Sequence, residues 1–188
     1  MMDCLARGGR RVGEQHEVWV MDEHRVGLLP LLRRVWAPCG QRPVYPVRPR
    51  FQWLYVYGFA HPNSGRSFWL LLPSVSIVAF NVAVQAFADF IQPSDTHRVS
   101  LLIDNAAWHT SPKVNCPHGL DFDFLPPYSP ELQPAEHLWA LSDVPLVNRC
   151  FESLAHLEQA LVDRCTWLQD QLDLVRSAIH FPWWPREC

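Results

Sequence analysis

The chain has 188 residues, of which 48% are hydrophobic, and a formal net charge of −3. This length suits one well-buried domain and is too short for two ordinary ones, while the apolar content excludes a disordered chain. No apolar run reaches the roughly 18 residues of a membrane-spanning helix, and residues 1–17 lack the apolar stretch of a secretory signal. We therefore expect one cytoplasmic domain that does not bind membranes.

The charges are unevenly distributed along the chain. Residues 24–88 contain seven arginines and no acidic residue, whereas residues 89–188 contain fourteen acidic and six basic residues. An arginine-rich segment can follow DNA phosphates, because each neutralised phosphate releases counterions. The alternative is that these arginines are surface residues whose acidic partners lie in the second half. The residues that we predict to contact DNA are Arg33, Arg34, Arg42, Arg48 and Arg50.

The first half of the chain predicts a strand and then a hairpin. Residues 17–21 form a short apolar run that ends in Asp22-Glu23, as a buried strand would. Residues 35–50 contain four prolines and cannot be helical. Two aromatic-rich runs, residues 51–60 and 67–72, flank a turn-forming segment and predict a β-hairpin.

The second half alternates helices and strands. Apolar residues at helical spacing predict a helix over 77–91, with Ser76 as its N-cap. Residues 99–103 predict a strand that ends at Asp104, and residues 122–125 predict another strand. A helix beginning at Pro134 and a last amphipathic helix follow. Strands mixed with helices in one domain indicate an α/β fold with a mixed sheet flanked by helices.

Three acidic residues stand where chemistry is expected. Asp22 and Asp104 each follow a predicted strand, and Glu136 lies in the first turn of a predicted helix. Neighbouring strands would bring the two aspartates together at one edge of the sheet, and a helix packed there would add the glutamate. Converging carboxylates repel one another unless a cation lies between them, and oxygen ligands suit Mg²⁺ or Mn²⁺. Two such ions promote phosphodiester cleavage and transfer.

Each of these residues also has a structural interpretation. Asp22 and Asp104 could simply end strands and turn the chain. Glu136 stands three residues after Gln133, where a glutamate commonly completes a helix capping box. His109 could equally be a core histidine. Taken singly, each structural role fits the pattern at least as well as a catalytic role.

Three stretches resemble motifs of bacterial insertion-sequence transposases in the bacterial branch of the mariner superfamily, the IS-six-thirty group. They are residues 22–28 (DEHRVGL), 101–109 (LLIDNAAWH) and 125–139 (LPPYSPELQPAEHLW). The third stretch is the most specific, since fifteen consecutive positions of this composition rarely arise by chance. The resemblance extends from about Val18 to Arg186.

The resemblance implies a ribonuclease-H-like fold with Asp22, Asp104 and Glu136 as an acidic catalytic triad that holds two Mg²⁺ or Mn²⁺ ions. Such enzymes cut the ends of the transposon, and the freed 3′-hydroxyl attacks target DNA, typically at a TA dinucleotide. Because two ends must meet, the resemblance also implies a homodimer on DNA. Neighbouring residues that match the motifs are expected to support the triad: Glu23, Asn105, His109, Tyr128 and Ser129.

The chain departs from the family pattern in three respects. Relatives normally begin with a helix-turn-helix region that reads the transposon ends, whereas we expect residues 1–16 to be a short extension and residues 17–188 to be the catalytic domain. A separately encoded helix-turn-helix protein, or truncation, would explain this difference. Only 31 residues separate Asp104 from Glu136, a few fewer than in mariner relatives. Leu29 stands where relatives often carry a lysine.

Two further functions stay open at this point. A truncated remnant would keep the fold but could not find or move DNA. A nucleic-acid-binding module would use the arginine-rich segment. Its affinity for nucleic acid would fall steeply with salt and would not depend on magnesium. The intact acidic triad favours the transposase.

Overall fold

The computed structural model describes residues 15–44, 50–127, 129–182 and 184. A five-stranded sheet with the order β3-β2-β1-β4-β5 lies at its centre. The strand β2 pairs antiparallel with both β1 and β3, whereas β4 and β5 run parallel to β1. This arrangement confirms the predicted mixed sheet. The strands are β1 (Gln15–Gly27), β2 (Trp53–Ala60), β3 (Ser67–Leu72), β4 (His97–Ile103) and β5 (Leu120–Phe124).

Helices cover both faces of the sheet. One face packs on α1 (Ile77–Ile91). The other packs on α2 (Leu138–Ser142), α3 (Leu154–Gln169) and α4 (Leu172–Ile179). Because side chains alternate along a strand, β1 contributes residues to both cores, and this burial on both faces explains its nearly continuous apolar run.

The helix α1 begins and ends where the sequence predicts. The Ser76 side chain accepts a hydrogen bond from the backbone N–H of Ala79 at 3.1 Å, as an N-cap does. At the other end Gln92 adopts a left-handed conformation with φ of 53°, and Pro93 follows. The predicted hairpin is confirmed by the antiparallel pairing of β2 with β3.

Three predictions of local structure need correction. The first strand does not end before Asp22 but continues to Gly27, because residues 20–27 pair with β2 along its whole length; it also begins at Gln15, inside the predicted extension. The segment at Pro134 starts as a 3₁₀ helix (Pro134–His137) before α2 begins. The short helix α4 was not predicted. No helix in the described part of the chain is long and apolar enough to cross a membrane.

Candidate active site

The register of the central strands places Asp22 and Asp104 at the same level of the sheet. The last residue pair of the parallel ladder between β1 and β4 is Val20 with Leu102. Each aspartate lies two residues beyond this pair on its own strand. The two side chains therefore meet at the carboxyl end of the parallel ladder, although β1 itself continues beyond Asp22.

A buried glutamine brings Glu136 to the same edge. The side-chain amide of Gln133 donates a hydrogen bond to the Met21 carbonyl at 3.0 Å, and its side-chain oxygen accepts one from the Ala135 N–H at 3.4 Å. Gln133 thereby fixes the 3₁₀ helix to β1. Glu136 is exposed and makes no side-chain hydrogen bond or ion pair within the described residues, so the capping-box interpretation of this glutamate is wrong.

The three carboxylates line one cavity of about 440 Å³ at this edge. Asn105, Ser129 and Gln133 also line it. The carboxylates share the cavity without forming a closed cluster, since no group of three or more His, Cys, Asp or Glu side chains in the described ranges is close enough to hold a metal ion. The predicted triad is thus assembled around one space that is open to a ligand.

Asp22 is the most strongly perturbed carboxyl group of the cavity. Burial, together with the negative charges of Glu23 and Asp104, raises its pKa to about 7, against the opposing effect of hydrogen bonds from Trp139 and from the Glu23 backbone. Its contact with Trp139 joins the indole Nε1 to Oδ2 at 3.1 Å. The ionised form of Asp22 thus receives hydrogen bonds but no ion pair from the described residues.

The pKa of Asp104 is shifted in the opposite direction. A hydrogen bond from His109 lowers the pKa of Asp104, and the Ala106 backbone N–H, 3.0 Å from its Oδ1, acts in the same direction. The Nδ1 atom of His109 lies 2.7 Å from Oδ1 of Asp104, and its Nε2 lies 2.9 Å from Oε1 of Glu23. Although burial alone would lower it, these two hydrogen bonds raise the pKa of His109 to about 9.

Glu23 points to the opposite face of the sheet from Asp22. Its side chain is only 6% exposed and accepts hydrogen bonds from His109 and from the indole N–H of Trp108, the latter at 3.1 Å. The His109 ring is 1% exposed and packs on Phe80 of α1, with ring centroids 4.4 Å apart. Glu23 and His109 thus brace Asp104 from the α1 side and do not line the cavity.

Two of the predicted DNA-contacting arginines, Arg33 and Arg50, contact residues next to α2 and α3. Arg33 lies 3.7 Å from Asp143, and its backbone N–H donates to the Asn148 side chain. Arg50 donates to the Glu152 carbonyl. These contacts match the alternative in which the second half supplies partners, yet the Arg33 side chain is still 51% exposed. Arg34 and Arg42 are exposed, and Arg48 lies outside the described residues.

Other predicted supporting residues have simple roles in the structure. Asn105 donates to the Leu125 carbonyl and so joins the loop after β4 to the chain after β5. Ser129 lies on the cavity wall, and its hydroxyl donates to the Pro127 carbonyl at 3.4 Å. Tyr128 lies outside the described residues. Two functional residues were missed by the sequence reasoning, Gln133 as a tether and Trp139 as a partner of Asp22; both belong to the third motif.

The side chains that line the cavity are of the chemical type that binds a divalent cation, although they do not form a closed set of ligands within the described residues. Three carboxylates face one space, which is the donor set that Mg²⁺ and Mn²⁺ prefer. Asp22 is partly buried and has no ion pair within the described residues, so a cation would favour its ionised form. His109 is hydrogen-bonded to two carboxylates and does not line the cavity.

Comparisons with known proteins identify the family of the chain. A sequence profile of the family described as DDE superfamily endonuclease matches residues 17–158. The chain is also similar to the uncharacterized protein y4pE/y4sA of Sinorhizobium fredii (strain NBRC 101917 / NGR234). The two are 34% identical over 101 residues, which make up 53% of this chain and 73% of that protein.

Solved structures show the same fold. A pre-cleavage Mos1 transpososome matches with a TM-score of 0.56 and 16% identity over 90% of this chain and 57% of the Mos1 chain. A Mos1 mariner paired-end complex with Mn matches with a TM-score of 0.55 and 19% identity, over 88% and 56% of the two chains. The fold is therefore ribonuclease-H-like, as in transposase catalytic cores, and the chain spans slightly more than half the length of the Mos1 chains.

Proposed function

Because the chain belongs to the DDE superfamily endonucleases, we propose that residues 17–188 are the catalytic domain of a DNA transposase from the bacterial branch of the mariner superfamily. The proposed reaction is metal-dependent cleavage at transposon ends, followed by transfer of the freed 3′-hydroxyl into target DNA. Asp22, Asp104 and Glu136 are the proposed catalytic residues and metal ligands.

One observation carries this proposal. Asp22 and Asp104 project from matched positions of two parallel strands into a cavity that Glu136 also lines. An ordinary strand end has no need for a buried carboxylate beside two others, because burying charge without compensation costs free energy. The arrangement is understandable if a cation binds there.

In the proposed mechanism the side chains of this protein hold the metal ions and orient the carboxylates that bind them. Two divalent ions, when bound, would activate the attacking oxygen and stabilise the leaving oxygen at phosphorus. Asp22 and Asp104 would hold them from the sheet, and exposed Glu136 would close the site from the 3₁₀ helix. Glu23 and His109 fix Asp104 from behind, while Asn105 and Ser129 line the cavity beside it.

DNA is the proposed partner. Arg33, Arg34, Arg42, Arg48 and Arg50 would follow its phosphates, because they are arginines on a segment without acidic residues. The proposal has three further parts. An additional helix-turn-helix polypeptide would recognise particular transposon ends, and insertion would occur at TA. Two copies of the chain would pair on DNA.

The test is a nicking assay on supercoiled plasmid DNA with Mn²⁺, which compares the parent protein with Asp104→Asn. Asparagine keeps the oxygen that accepts from Ala106, so the variant should fold, and circular dichroism checks this. We expect nicking by the parent and none by the variant. Equal nicking by both would refute the triad, and Mn²⁺-independent DNA binding without nicking by either would favour a folded remnant or a binding module.

A further inference from the structure

We infer that Trp139 is a positioning residue for Asp22: its indole N–H holds one carboxylate oxygen and leaves the other directed to the metal site. This inference rests on the proposed function, since it concerns how a proposed metal ligand is oriented. The supporting observations are a hydrogen bond, a glycine that makes room for it, and a histidine that supports the indole ring.

The hydrogen bond links two motifs that are distant in sequence. Nε1 of Trp139, in α2, donates to Oδ2 of Asp22 in β1 at 3.1 Å. Trp139 follows Glu136 by three residues, so one short helical segment supplies both a carboxylate to the cavity and a donor to the opposite carboxylate. The segment cannot shift along β1 without changing both.

The strand next to β1 is shaped to admit the indole. Gly58 of β2 lies directly opposite Asp22 in the antiparallel ladder. A Cβ atom at Gly58 would lie 3.0 Å from Cη2 of Trp139 and 3.2 Å from Cδ1 of Leu138. The absence of a side chain at this position therefore lets the ring lie over β2 and reach Asp22.

The indole ring of Trp139 also packs against a histidine. The His24 ring stacks on Trp139 with centroids 4.9 Å apart and planes 15° apart. Nε2 of His24 lies 3.0 Å from Oδ1 of Asp143, which follows the end of α2. Since Asp22 and His24 are two residues apart on one face of β1, the indole lies between its hydrogen-bond acceptor and its stacking partner.

The choice of an indole is informative because two other tryptophans in the described ranges also donate to a carboxylate. Trp19 donates to Glu17 at 2.7 Å, and Trp108 donates to Glu23. Glu17 also contacts Arg66 and His97, and Glu23 contacts His109. Asp22 alone of the three has no ion pair within the described residues. A neutral donor can fix its orientation while leaving its charge available to a cation.

The test is a calorimetric Mn²⁺ titration of the full chain and of three variants. Trp139→Phe keeps an aromatic ring and removes the donor. Trp19→Phe is the matched control, since it removes an indole donor from the partly buried carboxylate of Glu17, which does not line the cavity. Asp104→Asn tests the metal site itself. We expect Trp139→Phe to weaken Mn²⁺ binding about 10-fold, the lower range for partners of metal ligands, and Trp19→Phe to change it less than about 2-fold.

A second variant covers the case in which Trp139→Phe fails to fold. Gly58→Ala removes no donor but pushes the indole away from β2, and it should also weaken Mn²⁺ binding. In addition, the indole ¹⁵N–¹H resonance of Trp139, assigned by its absence in Trp139→Phe, should shift when Mg²⁺ is added, whereas that of Trp19 should not.

The outcomes separate the two proposals. If the parent binds Mn²⁺ and Asp104→Asn does not, while Trp139→Phe and Gly58→Ala bind like the parent, the positioning role is wrong and the metal site stands. Equal losses in Trp139→Phe and Trp19→Phe would also overturn the positioning role, because they indicate general destabilisation. If the parent binds no Mn²⁺, the proposed function fails and the positioning role fails with it.

Discussion

Two adjacent carboxylates, which lie on opposite faces of the sheet, have different partners. On the α1 face, Glu23 is buried and receives hydrogen bonds from His109 and Trp108. On the face of α2–α4, Asp22 receives a side-chain hydrogen bond from Trp139, and burial beside other carboxylates raises its pKa to about 7. One face supplies a compensating charge, and the other does not.

This difference distinguishes a structural carboxylate from a functional one. A buried carboxylate that the chain neutralises contributes to the folded state, because its charge and hydrogen bonds are satisfied. A buried carboxylate that the chain orients but does not neutralise is poised for an external cation. Neighbouring residues of one strand can therefore have different roles, and burial alone does not separate them.

The largest expected effect comes from neutralising these two carboxylates one at a time. Asp22→Asn should reduce Mn²⁺-dependent plasmid nicking by about 10³-fold or more, because loss of a metal ligand removes several kcal/mol of transition-state stabilisation. Glu23→Gln should reduce nicking far less, since Glu23 does not line the cavity. Similar losses in initial-rate assays would mean that the two faces are not functionally different.

Replacement of Arg48 and Arg50 by glutamine tests whether the arginine-rich segment contacts DNA. We expect weaker DNA binding at low salt and a reduction of about 2 in the slope of log affinity against log salt, as for two lost phosphate contacts. The matched control is Arg98→Gln, at the start of β4, where the guanidinium pairs with Asp121. An unchanged slope in the double variant, measured by fluorescence anisotropy, would make this arginine pair structural only.

At pH 8 in the presence of a chelator, neutralising a carboxylate should shift Tm in opposite directions on the two faces of the sheet. Asp22→Asn should raise Tm, because it removes an uncompensated buried charge and keeps an acceptor for Trp139. Glu23→Gln should lower Tm, because the buried His109 cation loses one of its two carboxylate partners. In a domain of this size each kcal/mol shifts Tm by about 2–4 °C. Shifts of the same sign would contradict the proposed difference in compensation.

The smallest expected effect is a pH dependence away from the site. Hydrogen bonds and charges from Trp19, Arg66 and His97 lower the pKa of Glu17 despite the opposing effect of burial. Since the folded pKa lies below the unfolded value, this contribution to stability is present above about pH 4.5 and is lost as pH falls through the folded pKa. Glu17→Gln should therefore flatten the decline of Tm in acid. An unchanged acid limb would exclude Glu17 as its source.

The sequence predicted the parts of the site that depend on local patterns. Short apolar runs that end in acidic residues located Asp22 and Asp104, and Ser76 located the start of α1. The continuation of β1 to Gly27 could not be predicted, because the polar stretch after Asp22 is a strand only by pairing with β2. The contact of Trp139 with Asp22 depends on the register that sets Gly58 opposite Asp22, which no local pattern contains.

The central claim is that Asp22, Asp104 and Glu136 hold divalent metal ions, and the most direct measurement is anomalous diffraction from crystals soaked in Mn²⁺. We predict anomalous peaks in the cavity between the two aspartates, within reach of Glu136, and their loss in crystals of Asp104→Asn. Mn²⁺ peaks elsewhere with none in the cavity, or cavity peaks that persist unchanged in the variant, would contradict the account.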